Sequence, residues 1–121
     1  MESVGEKRLQ FVGTSRRDLA AFPEAARGEA GHNLHRVQVG GMPADWKPFD
    51  AAGPGTYEIR ISTHEGGNVQ HRVLYVAKFP EAVYVLHVFA KNSSQTSPHD
   101  VDLARARYAE MLRMRKRLHG R

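Results

Sequence analysis

The stretch from Tyr57 to Lys91, YEIRISTHEGGNVQHRVLYVAKFPEAVYVLHVFAK, decides the fold. It contains three runs rich in β-branched and aromatic residues: Tyr57-Glu-Ile-Arg-Ile-Ser, His71-Arg-Val-Leu-Tyr-Val-Ala-Lys-Phe and Val83-Tyr-Val-Leu-His-Val-Phe-Ala-Lys. Each is bounded by turn residues, which is the signature of a strand. The connections are too short for crossover helices, so the runs are expected to form an antiparallel meander. Successive strand side chains point to opposite faces. One register then places Glu58, Arg60, Arg72, His87, Phe89 and Lys91 on a single face, with Val85 in the same alternation. The opposite face is largely apolar and is expected to take the helices. A sheet with one packed face and one partly wet, basic face suits a phosphate-bearing ligand. The other reading is an ordinary solvated sheet face that carries charge, which antiparallel sheets often expose.

Upstream of the meander, Arg8-Leu-Gln-Phe-Val alternates weakly and is expected to be a first strand. Thr14 or Ser15 followed by Asp18 resembles a helix start, giving a short helix over 15–21 with Leu19 and Phe22 inward. Pro23 suits the first turn of a second helix. Along it Ala26, Ala30, Leu34 and Val37 recur at helical spacing, and Gly40-Gly41 followed by Pro43 ends it. His32 and His35 on this helix have no third ligand at matching spacing and read as surface residues. Residues 40–55 form a turn-rich connection, with Trp46 and Phe49 expected to pin it to the core. His64-Glu-Gly-Gly-Asn reads as a flexible hairpin tip. Ser97-Pro98 with Asp100 and Asp102 opens a last helix, whose apolar stripe is Val101, Ala104, Tyr108, Met111, Leu112 and Leu118.

The predicted order is therefore β-α-α-β-β-β-α, an α+β domain with a small, mostly antiparallel sheet. A chain of 121 residues is long enough for a core of its own. The expected division is a flexible tail over 1–6, one domain over 7–118 and a basic tail over 119–121. No apolar run approaches bilayer length, and Met1-Glu-Ser-Val-Gly-Glu-Lys lacks a signal-peptide core, so the cytoplasm is the expected compartment. The absence of cysteine excludes disulfides and thiolate metal sites. The net charge of +5 is uneven. Residues 1–100 carry eleven Lys/Arg and eleven Asp/Glu, so the whole excess lies in 101–121. Such a run binds nucleic acid or an acidic partner, or is a solvated helix end favoured by the helix dipole.

This order of elements, with Asp18-Leu, Phe22-Pro, Lys47-Pro, Tyr57-Glu-Ile-Arg-Ile, Arg72-Val-Leu-Tyr-Val-Ala-Lys-Phe, Val85-Leu-His-Val-Phe-Ala-Lys and Ala106-Arg-Tyr-Ala-Glu-Met, resembles the RelE/ParE superfamily of toxins, and within it the HigB-like, phage-derived branch. The resemblance covers about residues 7–113. It implies a type II toxin neutralised by a helix-turn-helix antitoxin, with operator DNA contacted only through that antitoxin. It also implies cleavage of mRNA on the ribosome by attack of a ribose 2′-OH on the adjacent phosphate, without metal or cofactor. Gyrase inhibition of the ParE kind is the alternative within the superfamily, and a non-catalytic basic binding protein the alternative outside it. Arg60 resembles the basic residue of the first meander strand, Arg72 the arginine that meets the scissile phosphate, and Lys91 the basic residue ending the last strand. Glu58 departs from the pattern, standing where RelE has a lysine proposed as general base. Asn92 also departs, since many relatives have a basic residue there.

The candidate catalytic set is thus Glu58, Arg60, Arg72, His87 and Lys91. His87 titrates near neutrality without help, Glu58 is a candidate base kept ionised by Arg60, and Arg72 and Lys91 are placed to hold developing negative charge. The structural alternatives are a strand histidine packed beside Phe89 and a salt-bridge lattice of Arg60 and Arg72 with Glu58. The catalytic reading expects Arg72→Ala to abolish toxicity with little change in melting temperature.

Overall fold

The computed structural model describes residues 5–63 and 69–119. The hairpin tip at 64–68, the first four residues of the N-terminal tail and the last two of the basic tail lie outside the described residues. In chain order the elements are β1 (Arg8–Phe11), α1 (Ser15–Ala20), α2 (Glu24–Gln38), β2 (Trp46–Pro48), β3 (Thr56–Ile61), β4 (Gln70–Val76), β5 (Ala82–Lys91) and α3 (Pro98–His119). The sheet order is β1-β5-β4-β3-β2. β1 runs parallel to β5, and every other pair is antiparallel. This is the RelE-like α+β architecture, with an edge strand added where a turn-rich connection was expected.

Helical spacing decides one face. Ala26, Ala30, Leu34 and Val37 of α2 are all buried, against Ile59, Ile61, Val73, Tyr75, Val83, Val85 and Val88. The exposed side of α2 carries Gly28, Gly31, His32 and His35. α2 ends where Gly40 takes φ +95°, a conformation that glycine adopts without strain. Phe22 is buried below α2, and Leu19 packs against the same core.

The other face is the larger departure. It is not free of helices: α3 lies across it, with Ala104, Tyr108 and Met111 buried against Leu74, Val76, Tyr84, Leu86 and Phe89. A register shift between Leu74 and Tyr75 makes this possible. Leu74 faces His87, but Tyr75 faces Val85, so Leu86 is the extra residue of a bulge. Strict alternation puts Val85 beside His87 and Phe89. The bulge moves Val85 to the α2 side and brings Tyr84 and Leu86 under α3. A one-residue slip flips every following side chain, which is why each helix layer finds an apolar surface.

α3 is held by more than apolar contact. Arg107 donates to the Leu86 carbonyl at 2.9 Å and to Thr14 Oγ1 at 3.0 Å. Arg115 pairs with Glu81 at 2.5 Å and stacks over the Phe79 ring. Tyr108 donates to the Pro54 carbonyl at 2.6 Å. Arg113 and Arg117 share Glu110. Much of the positive excess of residues 101–121 is therefore engaged in fixing or lining this helix. Leu112 and Leu118, expected in the stripe, are instead exposed, and beyond Met111 the packed side of the helix is carried by Met114 and Arg115. Trp46 is likewise not a core anchor. It stands 38% exposed on the edge strand, edge-on to Tyr57, while Phe49 packs beneath α3.

Candidate functional site

Strand pairing sorts the charged face into rows. Lys47, Glu58, Leu74 and His87 lie opposite one another across β2, β3, β4 and β5. The next row is Arg60, Arg72 and Phe89, and the one after it pairs Gln70 with Lys91. α3 covers the end of the face that holds Leu74, Val76 and Tyr84. The rows of Arg60 and Lys91 lie at the other end. A polar cleft of about 400 Å³ opens there, lined by Ser62, Thr63, Val69, Gln70, Asn92, Ser93 and Ser94.

Glu58 is the centre of this end of the face. It is completely buried, and neither carboxylate oxygen has a hydrogen-bond partner among the described residues. Its two oxygens meet different cations: Lys47 Nζ lies 3.7 Å from Oε1, and Arg72 Nε 3.6 Å from Oε2. Both contacts are ion pairs without a hydrogen bond. Arg72 is itself buried; its fork donates to the His71 carbonyl at 3.0 Å and to Gln70 Oε1. Burial lowers the Arg72 pKa, Glu58 works against that, and Arg60 adds to it. Lys91 is half-buried and reaches Thr96 Oγ1 at 3.3 Å and the Ser94 carbonyl at 3.4 Å. Burial lowers its pKa as well, while the field of Glu58 raises it and those of Arg72, Lys47 and Arg60 lower it. Arg60 is exposed, and its guanidinium has no hydrogen-bond or ion-pair partner among the described residues.

Four cations, Lys47, Arg60, Arg72 and Lys91, thus surround one buried carboxylate. Like charges held this close raise one another's energy and attract an anion.

Of the five candidate residues, Glu58, Arg60, Arg72 and Lys91 come together here. His87 lies on the same face but in another setting. It is buried against α3, stacked on Phe89 with ring centroids 4.9 Å apart, and its Nε2 is 2.8 Å from Asp100 Oδ1. Asp100 also accepts from Ser97 Oγ at 2.7 Å and returns its backbone N–H to that oxygen at 3.1 Å. His87 is therefore tied to the first turn of α3. Burial lowers its pKa more than Asp100 raises it, which holds the imidazole neutral at pH 7. Glu58 has no open oxygen to present as a base in this conformation.

Two participants were not read from the sequence. Lys47 enters only because β2 exists, and Pro48 in that strand hides it. Gln70 enters because it opens β4 opposite Lys91 and caps the Arg72 fork. Its position one residue before His71-Arg-Val in the alternation was the signal available. Among the described residues, no group of three or more His, Asp or Glu is placed to hold a metal ion, and no helix is long and apolar enough to cross a membrane.

The α+β fold is RelE-like, and one end of its sheet gathers Lys47, Arg72 and Lys91 within the field of buried Glu58. The family model for phage-derived Gp49-like proteins (DUF891) matches residues 17–109, and the chain belongs to that family. The match runs from α1 through β5 and into α3, so it includes every cation of the cluster. No curated protein matches the chain.

Proposed function

We propose that this protein is the toxin of a type II toxin–antitoxin pair and acts in the cytoplasm as an mRNA endoribonuclease on the ribosome, restrained by a helix-turn-helix antitoxin. The observation that carries the reading is the arrangement of Arg60, Arg72 and Lys91 around buried Glu58 beside an open polar cleft. Membership of the phage-derived Gp49-like family supports it.

In this reading the ribose 2′-OH attacks the neighbouring phosphorus and the bond to the 5′-oxygen breaks. The 2′-OH proton leaves to a base, the 5′-oxygen takes a proton, and a cyclic phosphate remains. The phosphate gains negative charge on the way, and the cations stabilise it. Arg72 presents a planar fork suited to two phosphate oxygens, released from Gln70 and the His71 carbonyl as the phosphate enters. Lys91 supplies a second charge from the adjoining strand. Because Glu58 is enclosed and His87 is held by Asp100, proton transfer falls to groups brought by the ribosome, the RNA or solvent. Glu58 acts by fixing Arg72.

The test is induction of the gene in growing cells, with mRNA 5′ ends mapped by primer extension. New ends at codons in the ribosomal A site are expected. Arrested translation without new ends points to a non-catalytic binding protein, a reading favoured by the enclosure of both Glu58 oxygens. Gyrase-linked DNA breaks point to ParE-like inhibition.

A further inference from the structure

The cation cluster is wider than one phosphate. Lys47 stands on β2 and Lys91 on β5, three strand spacings apart, or about 14 Å across the sheet. The carboxylate of Glu58 lies between them. Its two oxygens divide the cations, with Lys47 on one side and Arg72 on the other. An anion placed centrally meets the negative charge of Glu58, so the favourable positions are to either side of it. Arg72 and Lys91 serve one. The other has half-exposed Lys47, with Arg60 diagonal to it on β3 and opposite Arg72; Arg60 is exposed and has no hydrogen-bond or ion-pair partner among the described residues. Lys47 is set there by two constraints: its register opposite Glu58, and its contact with Glu58 Oε1. A buried carboxylate without a hydrogen bond is costly unless cations answer it, so Glu58 holds Lys47 over the sheet rather than leaving it to extend into solvent.

We infer that Lys47 and Arg60 form a second phosphate position, so that the site takes at least two consecutive phosphates of a single-stranded RNA laid across the strands from β5 to β2. This rests on the proposed action on RNA and extends it to the substrate's footprint. β2 is the outer strand of the sheet, so among the described residues no further strand lies beyond Lys47 where the RNA leaves the protein.

The experiment is a salt titration of binding, read by fluorescence anisotropy. The probe is a fluorescein-labelled hexaribonucleotide, 2′-O-methylated throughout so that it cannot be cleaved. For single strands the slope of log K against log salt changes by about 0.7 for each phosphate contact. Lys47→Gln is expected to make the slope shallower by about 0.7, Lys47→Arg to restore it, and Lys116→Gln, an exposed cation of α3, to leave it unchanged. Glu58 still has Arg72 in Lys47→Gln. Should that variant melt early, Lys47→Gln/Glu58→Gln removes the buried charge as well, and the same loss of slope is expected there. A wild-type slope in the Lys47 variants, with a reduced slope in Glu58→Gln/Arg72→Gln, overturns the second position and leaves the RNA reading standing. If the wild type fails to bind, or binds equally well without Arg72, the RNA reading fails and the second position falls with it.

Discussion

Arg72→Ala now carries a stability cost that an exposed strand arginine would not. Arg72 and Glu58 are both buried, with side chains 4% and 1% exposed, 3.6 Å apart. Exposed ion pairs contribute about 0–1 kcal/mol. Removing one member of a buried pair costs about 3–5 kcal/mol, because the other is left enclosed and uncompensated. Lys47 remains beside Glu58 in the variant, which favours the lower end, about 3 kcal/mol. For a domain of this size, 1 kcal/mol moves the melting temperature by roughly 4 °C, so the expected fall is roughly 12 °C. Loss of toxicity in Arg72→Ala alone would then mix unfolding with lost chemistry.

A double-mutant cycle separates the two. In Glu58→Gln/Arg72→Ala no buried carboxylate is left, and half-exposed Lys47 returns to water. The double variant should be more stable than the sum of the single losses allows, by about 0.5–3 kcal/mol. Urea denaturation of the four proteins measures this. Toxicity should remain absent in the folded double variant if the Arg72 fork meets the phosphate. If Arg72→Ala costs under about 1 kcal/mol and the two changes simply add, the pair is not buried as described and the argument fails.

Other perturbations test other joints. Asp100→Ala removes the His87 contact and the acceptor of the Ser97 hydroxyl while keeping the backbone N–H that Ser97 caps, and should cost about 1–3 kcal/mol, with faster amide exchange in the first turn of the helix. His71, packed at a tilt against Phe22 and with no hydrogen-bond partner for Nδ1 among the described residues, has its pKa lowered by burial and then by Arg72. The folded protein therefore binds fewer protons than the unfolded chain below the ordinary histidine value of 6.5, and stability falls as pH drops through that value. His87 acts in the same direction. Melting temperatures from pH 7.5 to 5 should decline, and His71→Phe should flatten part of the decline. An unchanged slope would place that proton uptake elsewhere.

The elements with a clean period were legible in the sequence. Ala26, Ala30, Leu34 and Val37 defined α2 and its buried side, and alternation put Glu58, Arg60, Arg72, Phe89 and Lys91 on one face. What was hidden has local causes. The bulge at Leu74/Tyr75 is a non-local property of two strands, and nothing in Val-Tyr-Val-Leu-His-Val marks which residue is extra. β2 is three residues long with Pro48 inside it, so it has no period to detect and draws its order from pairing with β3. Depth was hidden as well. Arg72 is enclosed and paired with Glu58 rather than wet, and His87 is tied to the first turn of α3 through Asp100, neither of which local spacing reveals.

The α3 layer explains how one sheet face serves two ends. Where α3 lies, the bulge supplies Tyr84 and Leu86, and burial of apolar surface stabilises the docking. Beyond the helix start, the same strands carry charge that burial makes costly: Glu58 and Arg72 face each other without a hydrogen bond. A tighter pair would stabilise the fold more, but it would also neutralise the guanidinium toward a ligand. The looser pairing at 3.6 Å keeps Arg72 in place through Nε, and leaves its two terminal nitrogens on exchangeable partners, Gln70 and a backbone carbonyl. On the proposed reading, an arriving phosphate would offer those nitrogens stronger, charge-assisted bonds than either partner does. In this account the buried carboxylate contributes orientation rather than stability, and the apolar end of the face under α3 offsets its cost.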